Sequence, residues 1–432
     1  MQTNFTLDQL SDSKIKVAND ILRKCVHCGF CIATCPTYIL KGDELDSPRG
    51  RIYLIKHMLE SNTPPTKKVV THIDRCLSCL SCMSTCPASV NYMHLIDNTR
   101  TYIEDTYKRP IGDFLFRKVL AFILPYPKRF RFSLYCARLV KPLAIFFPKK
   151  LYNLILATPS GRLSPSTVDK PQVFSALGKK RKRVALLSGC AQQILQPTIN
   201  EATVRLLSRH GCEVVIAEGS KCCGALAHHL GQEKKAIEAA KANIIAWETA
   251  GDAQSLDAIV INTSGCGTTI KDYGFLLRED PKWAKRAAKI SSMTRDITEI
   301  ITEIGLKNLT KTKKPNIVYH SACSMQHGQQ IHYQPQKLLT DAGFQVSEPN
   351  ESHICCGSAG TYSFLQPEIA QELQMRKVKH LVATGAPLVA TGNIGCIMHI
   401  KQEIDKTYKI PVIHTVELLD WATGGPKPKS LG

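Results

Sequence analysis

The sequence predicts an α+β multidomain protein: a helical N-terminal domain followed by a duplicated α/β domain. Three observations carry that prediction. Two cysteine runs, Cys25-x2-Cys28-x2-Cys31-x3-Cys35-Pro36 and Cys76-x2-Cys79-x2-Cys82-x3-Cys86-Pro87, lie in the first quarter of the chain. From Val184 onward, short apolar runs alternate with helical periodicities. That pattern then repeats, with Cys222-Cys223-Gly224 in the first copy and Cys355-Cys356-Gly357 in the second. The expected boundaries are a helical cysteine-run domain over 1–105, a basic segment and linker over 106–178, and α/β modules over 179–312 and 313–432.

Each cysteine run has the ligand spacing of a bacterial-type ferredoxin, so the N-terminal domain reads as a two-cluster ferredoxin type holding two 4Fe–4S cubanes. Two-residue gaps let a short loop bring three sulfurs to three corners of one cube, and the proline ends the winding by fixing φ. In two-cluster ferredoxins the fourth cysteine serves the other cube. Cys25, Cys28, Cys31 and Cys86 are therefore assigned to one cluster, and Cys76, Cys79, Cys82 and Cys35 to the second. Zinc would more naturally use isolated Cys-x2-Cys pairs.

The 432 residues allow two or three domains, and 44% hydrophobic with 21% charged residues describes a globular chain. Its 18 cysteines are spaced as metal ligands rather than as a disulfide framework. Thiolates of this kind suit a reducing compartment, so a cytoplasmic location is expected. The N-terminus carries no secretory pattern. The longest apolar stretch, Phe114 to Pro125, is too short to span a bilayer and is broken by Arg117 and Lys118. The net charge of +20 suits an anionic lipid surface or an acidic partner. Nucleic acid would fit the charge alone, but no nucleic-acid motif accompanies it.

Along the chain, Lys14 to Lys24 reads as a helix leading into the first cysteine loop. Ser47-Pro48-Arg49-Gly50 can start a second helix over about 51–60, with Ile52, Ile55 and Leu59 on its core face. A polar connection, Asn62-Thr63-Pro64-Pro65, precedes the second loop. Residues 108–150 are basic and aromatic together. Lys108, Arg109, Arg117, Lys118, Lys128, Arg129, Arg131, Arg138, Lys141, Lys149 and Lys150 meet one acid, Asp113, and are interleaved with phenylalanines. This composition fits an amphipathic surface that docks on a membrane or another subunit. The competing reading is a pair of linker helices packed on the protein's own core. Thr158 to Pro171 reads as a linker, and Lys179 to Arg183 as a solvated lead-in to a strand.

In the repeat, Val184 to Cys190 matches Ile317 to Cys323, and Asp257 to Cys266 matches Pro387 to Cys396. The spacing from the first cysteine to Cys-Cys-Gly is 32 residues in both copies. The cysteines follow predicted strands, and parallel sheets bind ligands outside their carboxyl ends. Cys190, Cys222, Cys223 and Cys266 are thus expected to meet at one point, and Cys323, Cys355, Cys356 and Cys396 at another. Adjacent cysteines suit a polynuclear site, giving one or two further iron–sulfur clusters; unliganded cysteines or a vicinal disulfide are the alternatives. Gly224, Gly265, Gly357 and Gly395 relieve crowding there. His228, His229, His320, His327, His353 and His399 are expected to be surface or hydrogen-bonding residues, with a histidine ligand as the alternative. Cys136 and Cys212 are expected to be buried small hydrophobes.

With both halves placed, the chain resembles the glycolate oxidase iron–sulfur subunit family essentially end to end. The carrying residues are Cys25 to Tyr38, Gly42 to Asp46, Pro48 to Lys56, Gly189-Cys-Ala-Gln192, Thr263-Ser-Gly-Cys-Gly267, Cys355 to Tyr362 and Ala390 to Cys396. The resemblance implies a complex whose partner subunits bind FAD and oxidise glycolate to glyoxylate. This subunit would pass the flavin's electrons toward a quinone, with peripheral association at the cytoplasmic face of the inner membrane. The wider group includes heterodisulfide reductase, glycerol-3-phosphate dehydrogenase and lactate-utilisation proteins. It therefore implies alternative readings: catalytic disulfide or quinone reduction at a Cys-Cys-Gly site, or the iron–sulfur subunit of a lactate or glycerol-3-phosphate dehydrogenase. In the disulfide-reductase relatives each module ends in Cys-x2-Cys; here Thr269 and His399 stand in place of the last cysteine. The modules then hold clusters on four thiolates, share one cluster, or carry no metal. No Gly-rich dinucleotide fingerprint is present, so any hydride acceptor belongs to a partner.

Overall fold

The computed structural model describes residues 1–147, 149–156, 158–159, 161, 163, 165–252 and 254–431. The side chains of Lys149 and Lys150, counted above among the basic residues, lie outside the described set. The N-terminal domain is helical. Asp12 caps the helix Ser13–Lys24 by accepting from the Lys14 and Ile15 N–H groups, and that helix delivers the chain to Cys25. Ser47 caps Pro48–Ser61, with Pro48 at its first position, where a missing N–H costs nothing. Ile52, Ile55 and Leu59 of that helix are buried in one core with Leu22, Ile73, Leu95 and Ile96. Gly50 lets the helix press on the turn Glu44–Asp46, since a Cβ there would fall inside contact distance of the Glu44 carbonyl.

The rest of the chain carries nine strands among the described residues: β1 Gln172–Phe174, β2 Lys182–Leu186, β3 Cys212–Ile216, β4 Ala258–Ile261, β5 Thr294–Asp296, β6 Asn316–His320, β7 Gln345–Ser347, β8 Val389–Thr391 and β9 Val412–His414. They form two sheets, ordered β1-β3-β2-β4-β5 and β7-β6-β8-β9. Apart from β1, which runs antiparallel on the edge against β3, every pairing is parallel. The two modules therefore share one strand order, β3-β2-β4-β5 matching β7-β6-β8-β9. In each, the chain leaves the central strand first to one side and then to the other, which makes a switch point at that strand's carboxyl end.

The modules bury their helices against each other. Thr198–Arg209 packs on Thr415–Ala422, and Ile297–Ile304 packs on Gln334–Asp341. By the repeat these are the same pair of helices, taken once from each side. One continuous core results, running from Val184 and Leu186 through Ile300 and Ile301 to Leu418 and Leu419. Even the caps correspond. Asp296 with Glu299 and His414 with Glu417 form capping boxes at the starts of equivalent helices.

Residues 108–147 fold as the helices Ile111–Ile123 and Pro127–Val140 and a following 3₁₀ turn. Part of the basic charge is structural. Arg109 and Arg117 both bind Asp74, at 2.7 and 2.8 Å, just before the second cysteine run. Phe130 and Leu134 pack on Ile194, but most of the apolar surface stays outside: Ile111, Phe132, Leu139 and Phe146 are 84, 70, 81 and 82% exposed. Cys136 departs from the sequence reading, because it sits on the outer face of its helix and is exposed; Cys212 is buried at the start of β3.

Candidate metal centres

Both cysteine loops wind in the same way. His27 and Gly29 in the first, and Ser78 and Leu80 in the second, occupy equivalent positions and all have positive φ, between 52° and 87°. Three non-glycine residues held there represent real backbone strain, retained because the winding turns three cysteines toward one point. Two hollows result. One of about 450 Å³ is lined by Cys25, Cys28, Cys31 and Cys86 and also by Cys82, which lines both hollows. The other, of about 320 Å³, is lined by Cys35, Cys76, Cys79 and Cys82. Cys35 and Cys86 thus lie with the opposite run. Thiol-ringed hollows with otherwise largely apolar walls fit iron–sulfur cubes.

The two hollows differ in exposure. Cys28 is exposed, and Val26 and Phe30 beside it are 68 and 64% exposed. In the second hollow, where Cys35 and Cys76 are buried and Cys79 and Cys82 partly so, burial, then Cys323, pushes the Cys79 thiol well up, and burial followed by Cys79 does the same to Cys82. Burial with Cys25 pushes Cys31 up to about 11. Raised in this way the thiols stay protonated on their own, so ligation would have to displace their protons, and metal binding there depends on pH.

A buried polar network, unforeseen in the sequence, flanks Cys35. Arg51 is 1% exposed and Asp46 0%. The Arg51 guanidinium reaches Cys35 Sγ at 3.8 Å, Thr37 Oγ1 at 3.0 Å, Asp46 Oδ1 at 3.4 Å and the His72 carbonyl at 2.7 Å. His72 and Arg75 bind Asp46 as well, each at 2.8 Å. Burial works against the charge on Arg51, and its neighbours, Cys76, Tyr92, Cys35 and Asp46, outweigh that and raise it on balance. The signal lay in the Gly42–Asp46 and Pro48–Lys56 segments, which identify a family without revealing which atoms meet.

At the switch points of the sheets the other eight cysteines gather as two quartets. Cys190 Sγ is 3.5 Å from Cys222 Sγ, and Cys223 bridges Cys222 to Cys266. In the second module Cys323 and Cys355 are 3.7 Å apart, and Cys356 and Cys396 3.5 Å. Gly224 and Gly357 both have φ of +91°, and the Gly357 N–H points at Cys355 Sγ from 3.4 Å. The thiol-to-thiol hydrogen bond, then burial, pushes Cys190 and Cys323 well up. Hydrogen bonding with Cys190, then with Cys223, draws Cys222 well down.

The second quartet adjoins the second hollow. Cys79, Cys323 and Cys355 share one buried cluster with Leu77, Ile354 and Tyr362. Two cross-domain hydrogen bonds fasten it: Tyr362 Oη donates to the Arg75 carbonyl at 3.0 Å, and Ser84 Oγ lies 2.7 Å from His327 Nδ1. Most of the histidines have polar partners: His228 and His229 bind Asp97, His327 binds Ser84 and the His353 carbonyl, and His399 meets the Ala370 carbonyl. His353 is exposed. His320 departs from the expectation, being 1% exposed with neither ring nitrogen hydrogen-bonded among the described residues.

Known proteins share this arrangement. A family model for a 4Fe–4S dicluster domain matches residues 24–90, and one for a cysteine-rich domain matches 184–271 and again 317–401. The glycolate oxidase iron–sulfur subunit of Escherichia coli (strain K12) is 38% identical over 98% of this chain and 99% of its own. A probable glycolate oxidase iron–sulfur subunit of Bacillus subtilis (strain 168) is 31% identical over the same shares. Lactate utilization protein A of the same strain is 33% identical over 55% of this chain and 99% of its own. A crystal structure of a hypothetical protein from Helicobacter pylori superposes with a TM-score of 0.56 at 11% identity, covering 98% of this chain and 74% of that one, a likeness of fold alone.

Proposed function

The chain belongs to the glycolate oxidase iron–sulfur subunit family, and from that premise we propose that it is the electron-transfer subunit of a flavin-dependent 2-hydroxy-acid oxidase whose substrate is glycolate. FAD and the oxidation of glycolate belong to partner subunits, and the final acceptor is a membrane quinone. Cys25, Cys28, Cys31 and Cys86 hold one 4Fe–4S cluster and Cys35, Cys76, Cys79 and Cys82 the other, with further iron–sulfur sites at the two Cys-Cys-Gly quartets. Bound clusters of this kind supply one-electron carriers whose potentials follow hydrogen bonding and solvent access.

One observation supports a direction of flow: Cys79 of the second hollow and Cys323 of the second module, both partly buried, pack in one cluster with buried Cys355. The first hollow, by contrast, opens beside exposed Cys28, Val26 and Phe30, an apolar rim against which a flavoprotein can pack. Input at the first run and output through the second module follow from that ordering. The exposed aromatic surface of 108–147 suits the cytoplasmic face of an anionic membrane. Lys118 lies over Phe114 at 5.1 Å, and Arg129 over Phe122 and Tyr126 at 4.0 and 4.1 Å. Cations held at aromatic faces are arranged for a headgroup boundary. No helix among the described residues is long and apolar enough to cross a membrane.

The test is to purify the full chain anaerobically and assay it with and without its flavoprotein partners. Cluster absorbance without glycolate oxidation is expected from the chain alone, with reduction of its clusters by glycolate once the partners are added. Glycolate oxidation by the isolated chain would overturn the assignment.

A further inference from the structure

The two modules share strand order, cysteine quartets and capping boxes, yet they differ at one pair of residues inside the site. His320 ends β6 and is paired in register with Thr391 of β8. By the repeat, Leu187 and Ile261 occupy these positions in the first module, both buried. An apolar pair in one copy is thus a polar pair in the other. The polar pair is unsatisfied as it stands: both nitrogens of His320 and Oγ1 of Thr391 are buried without a hydrogen-bond partner. Buried polar atoms are nearly always bonded, and a group of three orphans at one point calls for a missing partner.

The missing partner lies on the cysteine side. A ring nitrogen of His320 and the sulfurs of Cys356 and Cys396 all fall within 4.8 Å of one another. We propose that His320 is a ligand of the metal centre in the second module, which makes that centre a mixed imidazole–thiolate iron–sulfur site, whereas the first module offers thiolates alone. This rests on the reading that the quartets bind iron. The donor count argues for more than one metal ion. Cys356, Cys396 and His320 form one group, Cys323 and Cys355 a second pair 3.7 Å apart, and five donors exceed what a tetrahedral ion takes. A cluster bound here would be held by His320, Cys356 and Cys396 on one side and by Cys323 and Cys355 on another. Thr391 faces His320 in register across the parallel strands, with no hydrogen bond between them. The imidazole is a neutral fifth donor beside four thiolates, where the first module has only Leu187 at the equivalent position.

Metal analysis and EPR with nitrogen hyperfine spectroscopy on the anaerobically purified full chain, grown with ¹⁵N-histidine, test this without any substitution. The expected result is iron clearly above the roughly eight atoms of two cubanes, with strong histidine-nitrogen coupling on one non-cubane signal. That coupling should vanish in His320→Leu combined with Thr391→Ile, which restores the first module's apolar pair and guards the fold. Iron above eight atoms with no histidine coupling overturns the ligand assignment alone. Only about eight irons, or zinc that depends on His320, overturns it together with the reading that this module binds an iron–sulfur cluster.

Discussion

Arg51 places a buried guanidinium nitrogen 3.8 Å from Cys35 Sγ, the cysteine that crosses from the first run to the second hollow. A fixed positive charge there favours the more negative, reduced form of whatever the thiolate binds. The variant Arg51→Met is expected to lower the midpoint potential of the second cluster while leaving the first unchanged, as read by an EPR-monitored redox titration. Breaking a buried ion pair typically costs roughly 3–5 kcal/mol. The cost should fall at the lower end, because His72 and Arg75 still hold Asp46.

Cys355 discriminates between exit routes. In Cys355→Ser, glycolate-driven reduction of the two ferredoxin-type clusters should persist when flavoprotein is present, whereas transfer to quinone should fall by at least about tenfold, or roughly 1.4 kcal/mol in barrier. Stopped-flow absorbance separates the two steps. Unchanged quinone reduction would place the exit elsewhere.

The docking of the second module on the N-terminal domain should be acid-sensitive. Burial lowers His327 to about 4, below its ordinary 6.5, and its neutral ring bonds Ser84. Between those values the unfolded chain binds the extra proton, so stability is complete above about pH 6.5 and declines as pH falls toward 4. His327→Gln should flatten that decline in thermal unfolding measured from pH 7.5 to pH 5, with little change at the upper end.

The exposed face of 111–146 should bind anionic vesicles. Phe132→Ser with Leu139→Ser removes two large exposed side chains, each worth on the order of 1–2 kcal/mol when buried in lipid. Vesicle co-sedimentation should therefore weaken by about a hundredfold for the pair. Salt should weaken binding of the unaltered protein, since the cations contribute through a screened field.

Local signals carried much of the architecture. The core face Ile52, Ile55 and Leu59 was legible as helical spacing, and the helix starts at Pro48 because Ser47 caps it. The cysteines of each module could be placed together because strand ends in a parallel sheet converge whatever the sequence separation. What escaped depends on non-local partners or on very short elements. Strand β1 has three residues, two of them exposed, and leaves no periodicity to read. The meeting of Asp46 with His72 and Arg75 joins segments whose spacing encodes nothing. His320 looked like any histidine near a strand end, and its significance is the absence of partners, which no sequence records.

The reciprocal helix packing of the two modules has a further consequence. Each contributes the same two helices to the other, which is the geometry of an isologous contact in a two-fold dimer, here joined within a single chain. In a true homodimer both metal sites would be encoded by one set of codons and would have to be alike. Covalent fusion frees them. One copy keeps Leu187 and the other has His320, so a pseudo-symmetric pair has two chemically different ends.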